Sequence, residues 1–215
     1  MKILINLVGL SHHDIGNGLH SYKNVHETLF KNVVNPLREK NEVDFFLTTY
    51  HTQESENLKN IYNPIKSIYR YIEPNENHGN IKVAFNTYKE SIYELKNLDY
   101  DFYIVTRFDL WIGTQLNLDF NKFNFLFKEL EWWDTPNNHQ CTTDTFYAFP
   151  KFMLDGFIKG IEDCINKNGE PGYIGLFHKL YPDLINYINE NDIHFIDDEK
   201  QTVQISNKYK LSRYL

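Results

Sequence analysis

Only two cysteines occur in the 215 residues, Cys141 and Cys164, and they form no CxxC pair. That excludes a disulfide framework and predicts a reducing compartment. No apolar run is long enough to span a bilayer. The opening segment, Met1 to Leu10, has one lysine and a short apolar stretch. It has no long hydrophobic region and no small-residue cleavage site, so it does not read as a signal peptide. No block of like charge is present. A formal net charge of −7 argues against a general nucleic-acid binder, while leaving room for a nucleotide held by a few cations. No repeat, linker or low-complexity segment divides the chain. These absences predict a soluble, cytoplasmic protein, or a soluble domain of a longer one, with no membrane span and no nucleic-acid partner.

Hydrophobic residues make up 41% and aromatics 16%, which excludes a disordered chain. The length suits one domain with a real core. The stretch that organises it is Tyr100 to Leu110. Phe102 to Val105 is an unbroken apolar run, which reads as a strand buried on both faces of a parallel sheet. Arg107 and Asp109 follow at its C-terminal end, where open α/β sheets bind ligands, and strand alternation points them the same way. Two readings are open for this pair. It can hold a phosphate and a metal ion, or it is a salt bridge capping a strand.

Lys2–Val8 is a first buried strand, and Gly9 after it lets backbone approach a ligand. His12 and His13 in the next loop either bind metal or are solvated. A helical stripe runs through Val25, Leu29, Val33 and Leu37 within His20–Arg38, with Pro36 kinking or ending it. Glu42–Tyr50 is a second strand, so the unit is a right-handed βαβ crossover. It brings Thr49 and Tyr50 to the same edge as Gly9. Ile68–Ile72 is a third strand, closed by Glu73–Asn75. Asn80–Asn97 is a helix with Ile81, Ala84, Tyr88, Ile92 and Leu95 on one face.

Beyond Asp109 the pattern is irregular. Asn117–Phe120 and Phe125–Phe127 read as short strands. Trp132 and Trp133 suit either stacking on a sugar or core packing. Thr142–Thr145 leads into a strand at Phe146–Phe149, and Pro150 opens a helix with Phe152, Phe157, Ile161 and Ile165 on its apolar face. Asn168–Gly172 is a tight loop, Tyr173–Tyr181 and a segment from Pro182 to about Glu190 are helical, and Ile193–Ile196 is a late strand. The tail from Gln201 has no periodicity.

Three of these pieces together resemble glycosyltransferases of the GT-A type, the small nucleotide-sugar-dependent enzymes of capsule, lipopolysaccharide or viral glycan synthesis. One is the opening strand with Gly9-Leu10-Ser11. Another is Val34-Asn35-Pro36-Leu37 leading to Val43–Tyr50. The third is Tyr100–Leu110, similar to a segment ending Arg-x-Arg-x-Asp-Leu. Asp144–Phe149 is similar to the family's Asp-aromatic-small strand. The match covers roughly the first two thirds. It implies a single Rossmann-like α/β domain over 1–215, with a mostly parallel sheet and helices on both faces. About 1–110 would be the nucleotide-binding half and about 111–215 the acceptor side.

The resemblance implies a nucleotide-sugar donor, a glycan or glycoconjugate acceptor and Mn²⁺ or Mg²⁺. Asp109 is the expected metal ligand, with His194 or Asp197 matching the late third ligand of many relatives. A metal-binding DxD would place an aspartate where Arg107 stands, so Arg107 becomes the phosphate or structural cation. Gly9, Thr49, Tyr50, Asn86 and Lys89 are expected near the nucleotide. Asp144 is the expected general base, with Glu170 next. An Asx turn or cap is the other reading of Asp144. Two other functions compete. A nucleotidyltransferase would want a glycine-rich, basic loop after the first strand, and Gly9–His13 has no Lys or Arg. A non-catalytic binding module on the same fold would explain the missing first aspartate.

Overall fold

The run Lys2–Val8 (β1) is buried on both faces except at Lys2. Such a strand needs partners on both edges and cover above and below. The computed structural model, which describes residues 1–14, 18–71, 81–131, 133–134, 140–167 and 177–215, supplies all of these. A hairpin of β2 (His12–Asp14) and β3 (Leu19–Ser21) follows β1. Then α1 (His26–Leu29), a π-helical segment at Phe30–Val34 and α2 (Asn35–Arg38) run on without a break. The expected helix therefore starts at His26 and not at His20, because the hairpin takes His20 and Ser21. Its stripe of Val25, Leu29, Val33 and Leu37 is buried. Pro36 has no N–H to donate. The wider turn just ahead of it, where the Asn35 N–H reaches the Phe30 carbonyl, lets the helix continue through it.

The second long strand is β4 (Glu42–Tyr50), and α3 (Ser55–Tyr62) ends on Asn63 at φ 43°. β5 (Lys66–Arg70) begins before the expected Ile68. Ile65 N–H already bonds the Phe45 carbonyl and Lys66 pairs with Phe46, so the ladder takes in polar residues that an apolar pattern skips. Ile72 and Glu73–Asn75 lie outside the described residues. α4 (Ile81–Leu95) leads into β6 (Phe102–Arg107) and β7 (Leu110–Ile112). Then come β8 (Phe123–Phe125), β9 (Phe146–Pro150), α5 (Leu154–Asn166), α6 (Leu180–Leu184), β10 (Ile193–Phe195) and β11 (Tyr209–Leu211).

Several expectations in the second half are corrected. Pro150 closes β9 and caps a 3-10 turn, and α5 starts only at Leu154. Asn117–Phe120 forms no strand, because the Asn124 side chain bonds both the Asp119 N–H and its carbonyl and folds the segment into a turn. The first part of the helix expected over Tyr173–Tyr181, like the loop at Asn168–Gly172, lies outside the described residues. Pro182 sits within α6 and does not open it. The aperiodic tail contains β11, antiparallel to β7.

Seven strands form one sheet in the order β10-β8-β9-β6-β1-β4-β5. Every pairing is parallel except the two made by β9. On one face, Tyr88, Ile92 and Leu95 of α4 join Phe157, Ile158 and Ile161 of α5 over Leu4, Val8, Tyr103, Val105 and Phe149. On the other, Leu29, Val33, Leu37, Leu58 and Tyr62 cover Ile3, Ile5, Leu7, Phe45 and Ile104. Period-two alternation sorts the strand residues between the two layers, and each buried Leu, Ile or Phe contributes roughly 1.5–3 kcal/mol. Asn6, fully buried in β1, is answered by Ser91 of α4 at 2.8 and 3.0 Å, which pins the helix to the sheet.

Candidate functional site

The parallel strands β1, β4 and β6 deliver their C-terminal ends to one edge. In register, Val8 lies beside both Thr48 and Arg107. Gly9, Thr49, Arg107 and Asp109 therefore gather there. Gly9 has φ +102°, its N–H bonds the Thr48 carbonyl at 3.0 Å, and a Cβ on it would meet nothing within 4 Å. Only glycine takes that backbone easily, and the space beside it is open.

The antiparallel β9 adds to this edge in a way that parallel strands cannot. Its N-terminal end, not its C-terminal end, points there, since Phe146 pairs with Thr106. The Arg107 N–H and the Thr106 hydroxyl both bond the Thr145 carbonyl, at 3.2 and 3.0 Å. Asp144, immediately before, is thus set beside Arg107. Both line a cleft of about 180 Å³ with Glu129, His178, Arg213 and Tyr214.

The floor of the cleft is a connected hydrogen-bond system. Asp109 is fully buried. Its Oδ1 accepts from Arg107 Nε at 2.8 Å, and its Oδ2 from Arg107 Nη2 at 3.0 Å and His20 Nδ1 at 2.5 Å. His20 Nε2 in turn faces Arg213 Nη1 at 3.0 Å. Arg213 can only donate, so the tautomer with its proton on Nδ1 satisfies both sides of the ring. Burial pushes the Asp109 carboxyl up, but the Arg107 charge and the hydrogen bonds from His20 and Arg107 outweigh it and hold the group well below the usual carboxylate range. Burial opposes the Arg107 charge, and Asp109 and then Asp144 more than restore it, raising that guanidinium further.

The rest of the lining is acidic and looser. His178 stands 3.7 Å from Asp144 Oδ2 through Nε2 and 4.0 Å from Glu129 Oε1 through Nδ1. Burial, the Asp144 charge and then Glu131 push the Glu129 carboxyl up to about 8. A carboxyl that keeps its proton near neutrality beside another carboxylate is a pairing suited to moving protons.

Of the residues singled out from sequence, Gly9, Arg107 and Asp144 meet at this edge, with Asp109 directly beneath. Thr49 and Tyr50 reach it, but their side chains serve the scaffold. Thr49 donates to Ser11 at 3.0 Å, and the Tyr50 hydroxyl pairs with Thr87 at 2.6 Å. Asn86 is exposed. Lys89 is exposed too, over the Tyr93 ring, in a separate hollow with Glu162 and Asn166. His194 does not join Asp109. It sits on the edge strand β10, three strand spacings or roughly 14 Å from β6, with Nε2 3.2 Å from the Asn117 carbonyl. Asp197 is taken by Lys208 at 2.7 Å. Glu170 and Trp132 lie outside the described residues. Trp133 packs on Tyr181 and Phe195, which is the core-packing alternative for that indole.

The expected Mn²⁺ or Mg²⁺ does not fit Asp109 in this arrangement, since both its oxygens already accept from Arg107 and His20. Among the described residues no three His, Cys, Asp or Glu side chains are grouped to hold a metal. Sequence reasoning missed His20, Glu129, His178 and Arg213. His20 and His178 were absorbed into helical patterns, and Arg213 lies in an aperiodic tail. Glu129 carried one usable signal, an acid two residues after the apolar run Phe125–Phe127. No family model matches the chain, and no match is found among curated proteins.

Proposed function

We propose that this chain is a nucleotide-sugar-dependent glycosyltransferase of GT-A type, moving a sugar from a nucleoside-diphosphate donor to a glycan acceptor in a cytoplasmic setting. The observation that carries this is the cleft at the strand ends, lined both by Arg107 and by the acidic set of Asp144, Glu129 and His178. Glycosyl transfer needs both walls. The departing diphosphate gathers negative charge, which a fixed cation stabilises without reorganising. The attacking hydroxyl must shed a proton, which a carboxylate accepts. Arg107 takes the first role, held in place by Asp109. Asp144 takes the second, with His178 beside it to pass the proton on and Glu129 to hold one in reserve.

The test is incubation with a panel of nucleotide sugars and simple sugar acceptors, measuring free nucleoside diphosphate with Mn²⁺ and in chelator. Release that persists in chelator is expected, because the charge is met by arginine. A second reading has one observation of its own. The commitment of Asp109 to Arg107 and His20 also suits a module that binds a nucleotide sugar without turning it over. Tight donor binding with no diphosphate release with any acceptor would favour it.

A further inference from the structure

The carboxy-terminal segment returns to the cleft from the far end of the sequence, and it is fastened there at several points. β11 pairs with β7 directly after Asp109. Ser212 then makes three bonds. Its N–H reaches the Asp109 carbonyl at 2.8 Å, its hydroxyl accepts the Ser21 N–H at 2.9 Å, and the same hydroxyl donates to the Leu19 carbonyl at 3.1 Å. The hairpin partner is shaped to receive it. Gly18 has φ +111°, and a Cβ there would stand 3.1 Å from the Cβ of Arg213. Only the absent side chain lets the turn lie so close.

What this fastening presents is Arg213. Arg107 has a carboxylate partner in Asp109. Arg213 has none within ion-pair distance among the described residues; its Nη1 lies against the ring nitrogen Nε2 of His20, and its buried Nε has no acceptor. A cation placed against an imidazole rather than an acid, in a chain of net charge −7, keeps its charge available. The two guanidinium groups flank one ring, Arg107 Nη2 at 3.3 Å from Nδ1 and Arg213 Nη1 at 3.0 Å from Nε2. Two forks side by side match two linked phosphoryl groups.

We propose that Arg213 is the principal anion-binding side chain of the cleft, taking a diphosphate together with Arg107, and that Asp109 and His20 are positioning residues that aim it. The proposal rests on the transferase reading only for what the diphosphate is attached to. Binding of the bare anion is measured without sugar or turnover, so the two stand or fall separately.

The test is calorimetric titration of inorganic pyrophosphate into the full chain. Wild type binds one equivalent. Arg213→Gln weakens binding about tenfold to a hundredfold, as expected for losing charge-assisted bonds. Gly18→Ala, which displaces the tail without changing any charge, weakens it too. His20→Leu behaves like Arg213→Gln. His20→Gln, whose amide donates to Asp109 and accepts from Arg213, restores part of the affinity, which a merely structural role would not require. No binding by wild type, or unaltered binding by a folded Arg213→Gln protein, overturns the site. Equal affinities for His20→Leu and wild type overturn the positioning role.

Discussion

The two walls of the cleft are built on opposite plans. On the cationic side, Arg107, Asp109, His20 and Arg213 are linked by contacts of 2.5 to 3.0 Å. On the acidic side, His178 stands 3.7 and 4.0 Å from its carboxylates. The first wall has its donors set before any ligand arrives, which is what stabilising a developing charge requires. The second leaves slack into which a hydroxyl can enter and from which a proton can leave. The fold explains the split. The cationic wall grows from the end of β6 and from a latched hairpin and tail. The acidic wall comes from the N-terminal approach to β9 and the loops around it.

Breaking the tight wall has the largest expected effect. Asp109→Asn takes from the part-buried Arg107 its hydrogen-bonded carboxylate and leaves only the Asp144 charge nearby, and loss of one partner of a buried pair costs about 3–5 kcal/mol. Urea unfolding measures it. A loss under about 1 kcal/mol would mean that this wall is as slack as the other. The loose wall should answer in rate instead. Asp144→Asn lowers transfer about a hundredfold or more, the size of a general-base contribution, with stability near that of wild type. Steady-state turnover and thermal unfolding, side by side, decide this.

A third effect is in pH. The Glu129 carboxyl titrates near 8 in the folded chain, up from an ordinary 4.5. It faces Asp144, Glu131 and His178, with Arg107 across the cleft. Between pH 4.5 and 8 the folded state keeps a proton that the unfolded chain has released. This group's contribution to stability therefore falls as pH rises through that window and levels off above it, by a few kcal/mol at most. Glu129→Gln removes that slope. Unfolding curves of the two proteins at pH 5 and pH 8.5 isolate it, and parallel curves would refute the shift. The smallest effect marks the border of the site. His194→Ala and Lys89→Ala, both away from the cleft, leave turnover and donor affinity within about twofold.

How much of this could be read from sequence follows the same division. β1, β4 and β6 announce themselves because burial on both faces demands unbroken apolar runs, and their connecting helices keep a clean stripe. Strand ends then locate Gly9, Arg107 and Asp109 without further information. Asp144 was legible as an acid before a short strand, though not the reversal of β9 that sets it beside Arg107. Arg213 left no trace, because a short ribbon strand and a 3-10 turn carry no periodicity, and its partner His20 is distant in the chain. For Asp109 the two readings, metal ligand or salt bridge, stay open in the sequence for the same reason, since the His20 imidazole that joins Arg107 on its oxygens is distant in the chain.

The division between the walls is tested most directly by nucleoside-diphosphate affinity in the Asp144→Asn protein, measured by calorimetry beside its turnover. The expected result is affinity within about twofold of wild type with transfer all but lost, the pattern of a group that acts mainly in the transition state. A fall in affinity matching the fall in rate, or full turnover, would contradict it.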